Sequence, residues 1–145
     1  MAGITVGVDG SHDAYRALEW AMREAAARHA PLTVLTVHDV AASAWIGNPV
    51  ILTADEPVVE QVRQAAQESV AKAAAQIGES QPASVTVRAL SGFPAQELIE
   101  ASRDADLLVV GSRGGGGFAR LMMGSISDQV VHHAHCPVVV VPGPR

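Results

Sequence analysis

The 145-residue sequence has a single cysteine, a single lysine, 3% aromatic residues and no long apolar run. Cys136 alone cannot form an intrachain disulfide, and one cysteine is typical of the reducing cytoplasm. No apolar segment approaches the roughly 20 residues of a membrane-spanning helix. The first ten residues lack the basic and apolar regions of a signal peptide. The sequence therefore predicts a cytoplasmic protein with no membrane partner.

Positive charge is also scarce. The net charge is −5 and no basic cluster occurs, which argues against nucleic acid as a partner. The only lysine, Lys72, falls inside a predicted helix, so the P-loop pattern, which needs a lysine on the phosphates, is absent. If a polyphosphate binds, backbone N–H groups and Mg²⁺ must meet its charge, together with Ser125, Ser127, Arg113 or Arg120.

Apolar strands alternate with helical patterns along the whole chain. With 48% hydrophobic residues, the sequence is suited to one folded domain over residues 1–145. Strands are predicted at residues 4–8, 32–37, 85–89, 107–110 and 138–141, and helical patterns begin near residues 14, 58, 94 and 125. Residues 41–54, which include Trp45, show no periodicity and indicate a loop. Strands joined by helices predict a doubly wound, parallel α/β sheet with helices on both faces.

The third and fifth predicted strands differ in pattern. The third alternates apolar and polar residues, as an edge strand facing water on one side does. The fifth, Val138–Val141, is entirely valine, and a bare apolar edge invites pairing. This strand is therefore either central or covered by a second subunit, and the second option predicts a homodimer through Val138–Val141.

A glycine-serine pattern follows the fourth predicted strand. Gly111-Ser112-Arg113-Gly114 is followed nine residues later by Gly124-Ser125, where a helical pattern begins. Glycines allow a ligand to approach the backbone closely. A Gly-Ser pair at a helix start offers unpaired N–H groups and the positive end of the helix dipole to an anion. The pattern predicts a nucleotide phosphate site, although the run Gly114–Gly117 alone is also typical of a flexible surface loop.

Asp9 follows the first predicted strand as Gly111 follows the fourth. If these strands are adjacent, the two residues face each other across the crevice where an open α/β sheet binds ligands. A carboxylate there suits a ribose hydroxyl or a Mg²⁺ ion. The alternative is that Asp9 caps the first helix through the Asp9-Gly10-Ser11 turn. A β-branched residue in place of Gly111 is expected to block the nucleotide without unfolding the sheet.

Three other patterns predict no chemistry. His132, His133, His135 and Cys136 suggest a metal site, but histidines at a helix C-terminus and a packed cysteine explain them. Ser11-His12-Asp13 are consecutive, so their side chains diverge and cannot form a catalytic relay. Gly114-x-Gly116-x-x-Ala119 resembles a dinucleotide fingerprint, but Gly124 interrupts it before the helix begins. No catalytic residue and no metal ligand is predicted.

A second role is open for the start of the last helix. Ser125 and Asp128, three residues apart, resemble a capping box in which aspartate replaces glutamate. This role is compatible with phosphate contact by the same helix end.

Taken together, four segments resemble the universal stress proteins, and specifically their ATP-binding branch. They are Val8-Asp9-Gly10-Ser11, Thr36-Val37-His38, the glycine-serine pattern and His135-Cys136-Pro137-Val138. The resemblance covers the whole chain. It implies a five-stranded parallel sheet in the order 3-2-1-4-5, with ATP bound between strands one and four.

The same resemblance implies a role for each candidate site residue. Adenine would lie near Asp9 and Val37, and ribose near Asp9 and Gly111. Phosphates would lie along Arg113, Gly114, Gly116, Gly117, Gly124, Ser125 and Ser127, and ATP is expected to bind together with Mg²⁺.

The family also implies an assembly and a kind of activity. Its members pair through the fifth strand and act in stress survival and dormancy, mostly as nucleotide-dependent regulators with at most slow ATP hydrolysis. The alternative is an ATP-hydrolysing enzyme resembling ligases or pyrophosphatases of a related α/β fold. Those enzymes carry a loop resembling S-G-G-x-D-S after strand one, and Val8-Asp9-Gly10-Ser11 lacks its first two positions. A binding protein is therefore predicted over an enzyme.

Overall fold

A computed structural model describes residues 3–40, 55–113 and 124–143. The strands are β1 (Ile4–Val8), β2 (Pro31–Asp39), β3 (Ser84–Gly92), β4 (Leu107–Gly111) and β5 (Val138–Val141). The helices in these ranges are α1 (His12–Arg28), α2 (Asp55–Ile77), α3 (Pro94–Ala101) and α4 (Ser125–His133), and a 3₁₀ turn, Ser102–Asp104, follows α3. Strand and helix alternate, except where the chain between β2 and α2 lies outside the described ranges.

The five strands form one parallel sheet in the order β3-β2-β1-β4-β5. This confirms the predicted fold class and strand order. In β1, Ile4 lies opposite Leu32 of β2 on one side and Leu107 of β4 on the other. The direction of winding therefore reverses between β1 and β4, which opens a crevice at their carboxyl ends.

Helices cover both faces of the sheet. On the face of α1 and α2, the core includes Ile4, Leu18, Met22, Val34 and Val109. On the face of α3 and α4, it consists of Leu35, Leu98, Leu108, Val110 and Val130. Successive residues of β4 alternate between the two cores. The unbroken apolar run of this strand is thus explained, since a strand covered on both sides needs apolar residues at every position.

Several elements are longer than their sequence patterns predict. β2 and β3 pair continuously from Pro31 opposite Ser84 to Asp39 opposite Gly92, so their polar ends are held by the ladder between them. α2 begins at Asp55, before its first apolar residue, and Pro57 lies in its first turn. Proline is tolerated there because the first-turn N–H groups have no partner inside the helix.

The two edges of the sheet differ in exposure. β3 is an edge strand, as predicted, and Ser84, Val85 and Thr86 are exposed. β5 forms the opposite edge, which rules out the alternative that it is central. Its first three valines are half-buried and Val141 is buried. None of the helices within the described ranges has the length and apolar character needed to cross a membrane.

Candidate functional site

The register of the sheet brings three candidate residues to one edge. Val8 lies opposite Thr36, so Asp9, the first residue after β1, is level with Val37, which lies in β2 two residues before its end. Val6 lies opposite Val109, which places Gly111 two residues further along, level with Val8. The candidates at the ends of β1, β2 and β4 therefore meet at the carboxyl edge, next to the reversal of strand order.

Asp9 stabilises the turn after β1, and Ser11 caps the helix that follows it. The Asp9 Oδ1 atom accepts a 2.9 Å hydrogen bond from the backbone N–H of Ser11, and Gly10 has a φ of 86°. The Ser11 hydroxyl oxygen accepts the N–H of Ala14 at 3.2 Å and is the N-cap of α1. The cap of α1 is therefore Ser11, and the alternative that Asp9 caps this helix is wrong. The Asp9 carboxylate is exposed at the mouth of the crevice.

A cleft opens beside this turn, between α1, the end of β2 and α2. Its cavity volume is about 110 Å³ and it opens to solvent, so it is smaller than the roughly 300–1,000 Å³ of typical small-molecule sites. The lining residues come from four segments: Val8, Asp9, Gly10, Ser11, Ala14, Tyr15, Leu18, Thr36, Val62, Ala65, Ala66 and Ser69. Sequence reasoning missed the wall formed by α2. The small residues Ala65, Ala66 and Ser69 on that helix are a signal that could have revealed it.

Tyr15 is the largest polar side chain in this cleft. Its hydroxyl oxygen is buried and has no hydrogen-bond partner within the described part of the chain. Burial, and then the neighbouring Glu19 carboxylate, raises the pKa of the phenol, although Glu19 stays outside hydrogen-bond geometry. The ammonium of Lys72 lies 4.8 Å from the centre of the Tyr15 ring, in cation–π range.

Gly111 is a packing glycine. A Cβ on Gly111 would lie 2.8 Å from both the carbonyl carbon and the oxygen of Asp13, and 3.1 Å from the N atom of Ala14. The end of β4 therefore touches the backbone of the first turn of α1, which cannot yield as a flexible side chain can. The expectation that a β-branched residue at position 111 leaves the sheet intact is wrong for this reason.

The N-terminus of α4 is capped by a residue with no side chain. Gly124 is the N-cap, with φ −65° and ψ 159°, and no side chain caps this terminus. Ser125 lies inside the helix as its first residue and is exposed, so the predicted capping box of Ser125 and Asp128 is wrong. The Gly124 N–H donates to the Ser112 carbonyl at 2.7 Å, which anchors α4 beside the end of β4. First-turn N–H groups without a side-chain acceptor suit an anion.

Ser127 joins this helix to the sheet. Its side chain is buried, and its hydroxyl donates a 2.5 Å hydrogen bond to the Gly111 carbonyl oxygen. The Ser127 hydroxyl is therefore engaged inside the protein, whereas Ser125, two residues earlier, faces solvent. The site roles assigned to both serines stay predictions.

Asp13 lies against the residues that open the glycine-rich segment. Its Oδ2 atom accepts a hydrogen bond from the Ser112 hydroxyl at 3.3 Å and lies 3.9 Å from the Arg113 Nε atom. Sequence reasoning considered Asp13 only as part of a failed catalytic relay and missed this contact. No local pattern reveals it, because 99 positions separate Asp13 from Ser112.

Some candidates cannot be placed. Gly114, Gly116 and Gly117 lie outside the described residues, as do Arg120 and the 41–54 segment with Trp45. Across the ranges 3–40, 55–113 and 124–143, no three His, Cys, Asp or Glu side chains are grouped so that they could hold a metal ion.

The histidines and the cysteine near the end of α4 have local contacts. His132 Nδ1 lies 2.7 Å from the Asp128 carbonyl oxygen. The Cys136 thiol contacts the Pro137 carbonyl at 3.4 Å, and burial raises the pKa of the thiol. A raised pKa leaves less thiolate at neutral pH, so Cys136 is a poor nucleophile.

Comparison with known proteins gives one consistent result. A family model described as the universal stress protein family matches residues 2–142. A universal stress protein of Mycolicibacterium smegmatis (strain ATCC 700084 / mc(2)155) is 37% identical over 141 residues, which cover 97% of this chain and 48% of that protein. The chain thus spans about half the length of the curated relatives it matches.

Solved structures show the same similarity. The universal stress protein UspA from Lactobacillus plantarum superposes with a TM-score of 0.78 at 25% identity, over 96% of each chain. A universal stress protein in complex with cAMP gives a TM-score of 0.67 at 26% identity, over 98% of this chain and 97% of the other.

Proposed function

Because this chain belongs to the universal stress protein family, we propose that it binds an adenine nucleotide and acts as a nucleotide-dependent regulator in the stress response. The nucleotide would lie at the carboxyl edge of the sheet, between the turn after β1 and the N-terminus of α4. One observation carries the proposal: the N-cap of α4 is Gly124, which offers no side-chain acceptor and is hydrogen-bonded to Ser112 just after β4. That terminus offers backbone N–H groups to phosphate beside the crevice.

The ligand we propose is ATP with Mg²⁺. A related universal stress protein was solved with cAMP, which supports the adenine nucleoside part of this assignment. In our proposal Val37 and Asp9 contact the base and ribose, and Arg113, Ser125 and the glycines contact the phosphates. The only lysine, Lys72 on α2, lies over the ring of Tyr15. In our proposal Mg²⁺ therefore offsets the charge of the triphosphate in place of a lysine.

A pair of substitutions at Gly124 tests the phosphate site. The backbone of Gly124 has a φ of −65°, which any residue adopts, so side chains at this position cause no backbone strain. Gly124→Asp would put a carboxylate where the phosphate is proposed to bind, and Gly124→Asn would put a neutral side chain of the same size there. Both should cap α4 and raise the free energy of unfolding by about 0.5 kcal/mol.

Titration calorimetry with Mg-ATP on nucleotide-stripped protein separates the two variants. We expect wild type to bind about one nucleotide per chain, and Gly124→Asp to bind at least about tenfold more weakly than Gly124→Asn, because only the aspartate repels phosphate. Equal affinities for the two variants would show that the N-terminus of α4 does not hold the phosphates. If folded wild type fails to bind, the nucleotide proposal is wrong.

The same preparation tests the alternative that the chain is an ATP-hydrolysing enzyme. A regulator should leave bound ATP largely intact over many minutes, whereas a ligase or pyrophosphatase should release ADP, or AMP and pyrophosphate, over repeated turnovers. Chromatographic analysis of the nucleotide after incubation distinguishes them, and rapid turnover would replace the regulatory proposal.

We further propose that β5 pairs with a second copy of the chain to form a homodimer. The Leu108 N–H donates to the Pro137 carbonyl, and the Ser112 N–H donates to the Val141 carbonyl. Because alternate residues of a strand point their N–H and C=O groups to opposite sides, those of Val138 and Val140 point away from β4. These outward groups lie on the half-buried, apolar edge of the sheet and can pair with another strand.

Val140→Pro removes one outward N–H group while the ladder to β4 keeps its own donors. Val140→Thr keeps the N–H and the branched shape, and serves as the matched control. We expect light scattering after size-exclusion chromatography to give a dimer for wild type and Val140→Thr, and a monomer with native circular dichroism for Val140→Pro. A wild-type monomer at high concentration would contradict the dimer.

A further inference from the structure

We propose that Asp13 sets the charge preference of the nucleotide site, as an internal anion that competes with phosphate for Arg113 and Ser112. This inference rests on the nucleotide binding proposed above. It concerns a residue outside the predicted nucleotide site that the fold brings against Ser112 and Arg113. Asp13 would act through Arg113 and Ser112, and is therefore a positioning residue for the phosphates.

The contacts of the Asp13 carboxylate are those of a bound anion. Its Oδ2 atom accepts from the Ser112 hydroxyl at 3.3 Å and lies 3.9 Å from the Arg113 Nε atom. The side chains of Asp13 and Arg113 are only 12% and 23% exposed. Solvent therefore screens this pair less than it screens a fully exposed ion pair.

Three segments hold the carboxylate in this position. Asp13 lies in the first turn of α1, where the helix dipole favours a negative charge. Gly111 packs against its backbone. Gly143 lies against the carboxylate itself, since an added Cβ there would collide with the Asp13 Oδ1 atom. The carboxylate is thus held by the chain and is not a mobile surface charge.

Arg113 and Ser112 cannot serve Asp13 and a phosphate equally well. A guanidinium fork and a hydroxyl are suitable donors for phosphate oxygens as well as for a carboxylate. A phosphate that engages Arg113 must either displace Asp13 or lie beside a second negative charge, and like charges at such distances repel. The repulsion grows with the charge of the ligand. It is absent for adenosine, small for cAMP with one negative charge, and largest for ATP without Mg²⁺.

Asp13→Asn removes the charge while it keeps the size and an acceptor for the Ser112 hydroxyl. Asp104→Asn is the matched control, because it makes the same charge change at an exposed residue of the 3₁₀ turn that precedes β4, at the opposite end of that strand. The affinities of both variants and wild type are measured by calorimetry for adenosine, cAMP and metal-free ATP, at low and high salt.

We expect Asp13→Asn to tighten ATP binding about tenfold and cAMP binding about twofold, and to leave adenosine unchanged, because only charged ligands meet the carboxylate. The gain for ATP should shrink at high salt. In an Arg113→Met background most of this gain should disappear, because the guanidinium for which Asp13 and the phosphate compete has been removed. Asp104→Asn should bind all three ligands as wild type does.

Several results would overturn the inference. An equal gain for all three ligands would show a structural effect without charge discrimination. Weaker binding of metal-free ATP by Asp13→Asn would show that the Asp13 carboxylate does not compete with the phosphates. If Asp13→Asn improves ATP binding just as much in the Arg113→Met background, Asp13 and the phosphate do not compete for Arg113. If wild type binds none of the ligands, the proposed function itself fails. If it binds them but Asp13→Asn does not improve ATP binding more than cAMP and adenosine binding, only the role of Asp13 is refuted.

Discussion

Two helices, α1 and α4, begin at the same edge of the sheet, and their N-termini are satisfied in different ways. At α1 the Ser11 hydroxyl accepts the Ala14 N–H, and Asp13 supplies a negative charge in the first turn. At α4 the cap is Gly124, with no side-chain acceptor. The first terminus satisfies its own donors and dipole, and the second keeps them open to a ligand. A helix N-terminus is therefore a suitable anion site only when its cap has no side chain that accepts the first-turn N–H groups.

The largest effect is expected where α1 meets β4. Gly111→Ala forces a Cβ to within 2.8 Å of the Asp13 backbone, and such overpacking should lower the free energy of unfolding by about 2–3 kcal/mol. Gly7→Ala is the matched control, because its Cβ would meet the Leu98 side chain, whose methyl groups can move. Urea denaturation followed by circular dichroism gives both values. A smaller loss for Gly111→Ala than for Gly7→Ala would contradict the close backbone packing described here.

A smaller effect separates the two helix starts directly. Ser11→Ala removes the acceptor for the Ala14 N–H and should cost about 1 kcal/mol of unfolding free energy. Ser125→Ala removes an exposed hydroxyl inside α4 and should leave stability within about 0.5 kcal/mol of wild type, while it weakens Mg-ATP binding. Thermal unfolding and calorimetry on both variants measure these effects. If Ser125→Ala is as destabilising as Ser11→Ala, then Ser125 caps its helix and the contrast between the two termini disappears.

The fold could be predicted from sequence because each of its signals is local. The apolar runs at β1 and β4, the helical spacing in α1 and the alternation in β3 are all visible within a few residues. The resemblance added the strand order, which the structure confirms. The position of β5 was left open, since four valines suit a central strand and a covered edge equally well.

The candidate site could be predicted only in part. Asp9 follows β1, and Val37 and Gly111 lie near the carboxyl ends of β2 and β4, so the topology alone brings them together. The wall from α2 and the contact of Asp13 with Arg113 depend on how helices pack onto the sheet, which no short pattern encodes. The role of Gly111 was misjudged for the same reason, because its neighbour in space is the backbone of a helix that starts 99 positions earlier.

The central place of β1 in the sheet has a consequence for how the chain folds. This strand is bordered by β2 on one side and by β4, about a hundred residues later, on the other. While the protein is being synthesised, β1 can pair with β2 early, but its second neighbour, β4, is synthesised only after α2, β3 and α3. Closing so long a loop before the pairing stabilises it is slow. The half-sheet of β1, β2 and β3 must therefore keep an open apolar edge out of contact with other chains until β4 arrives.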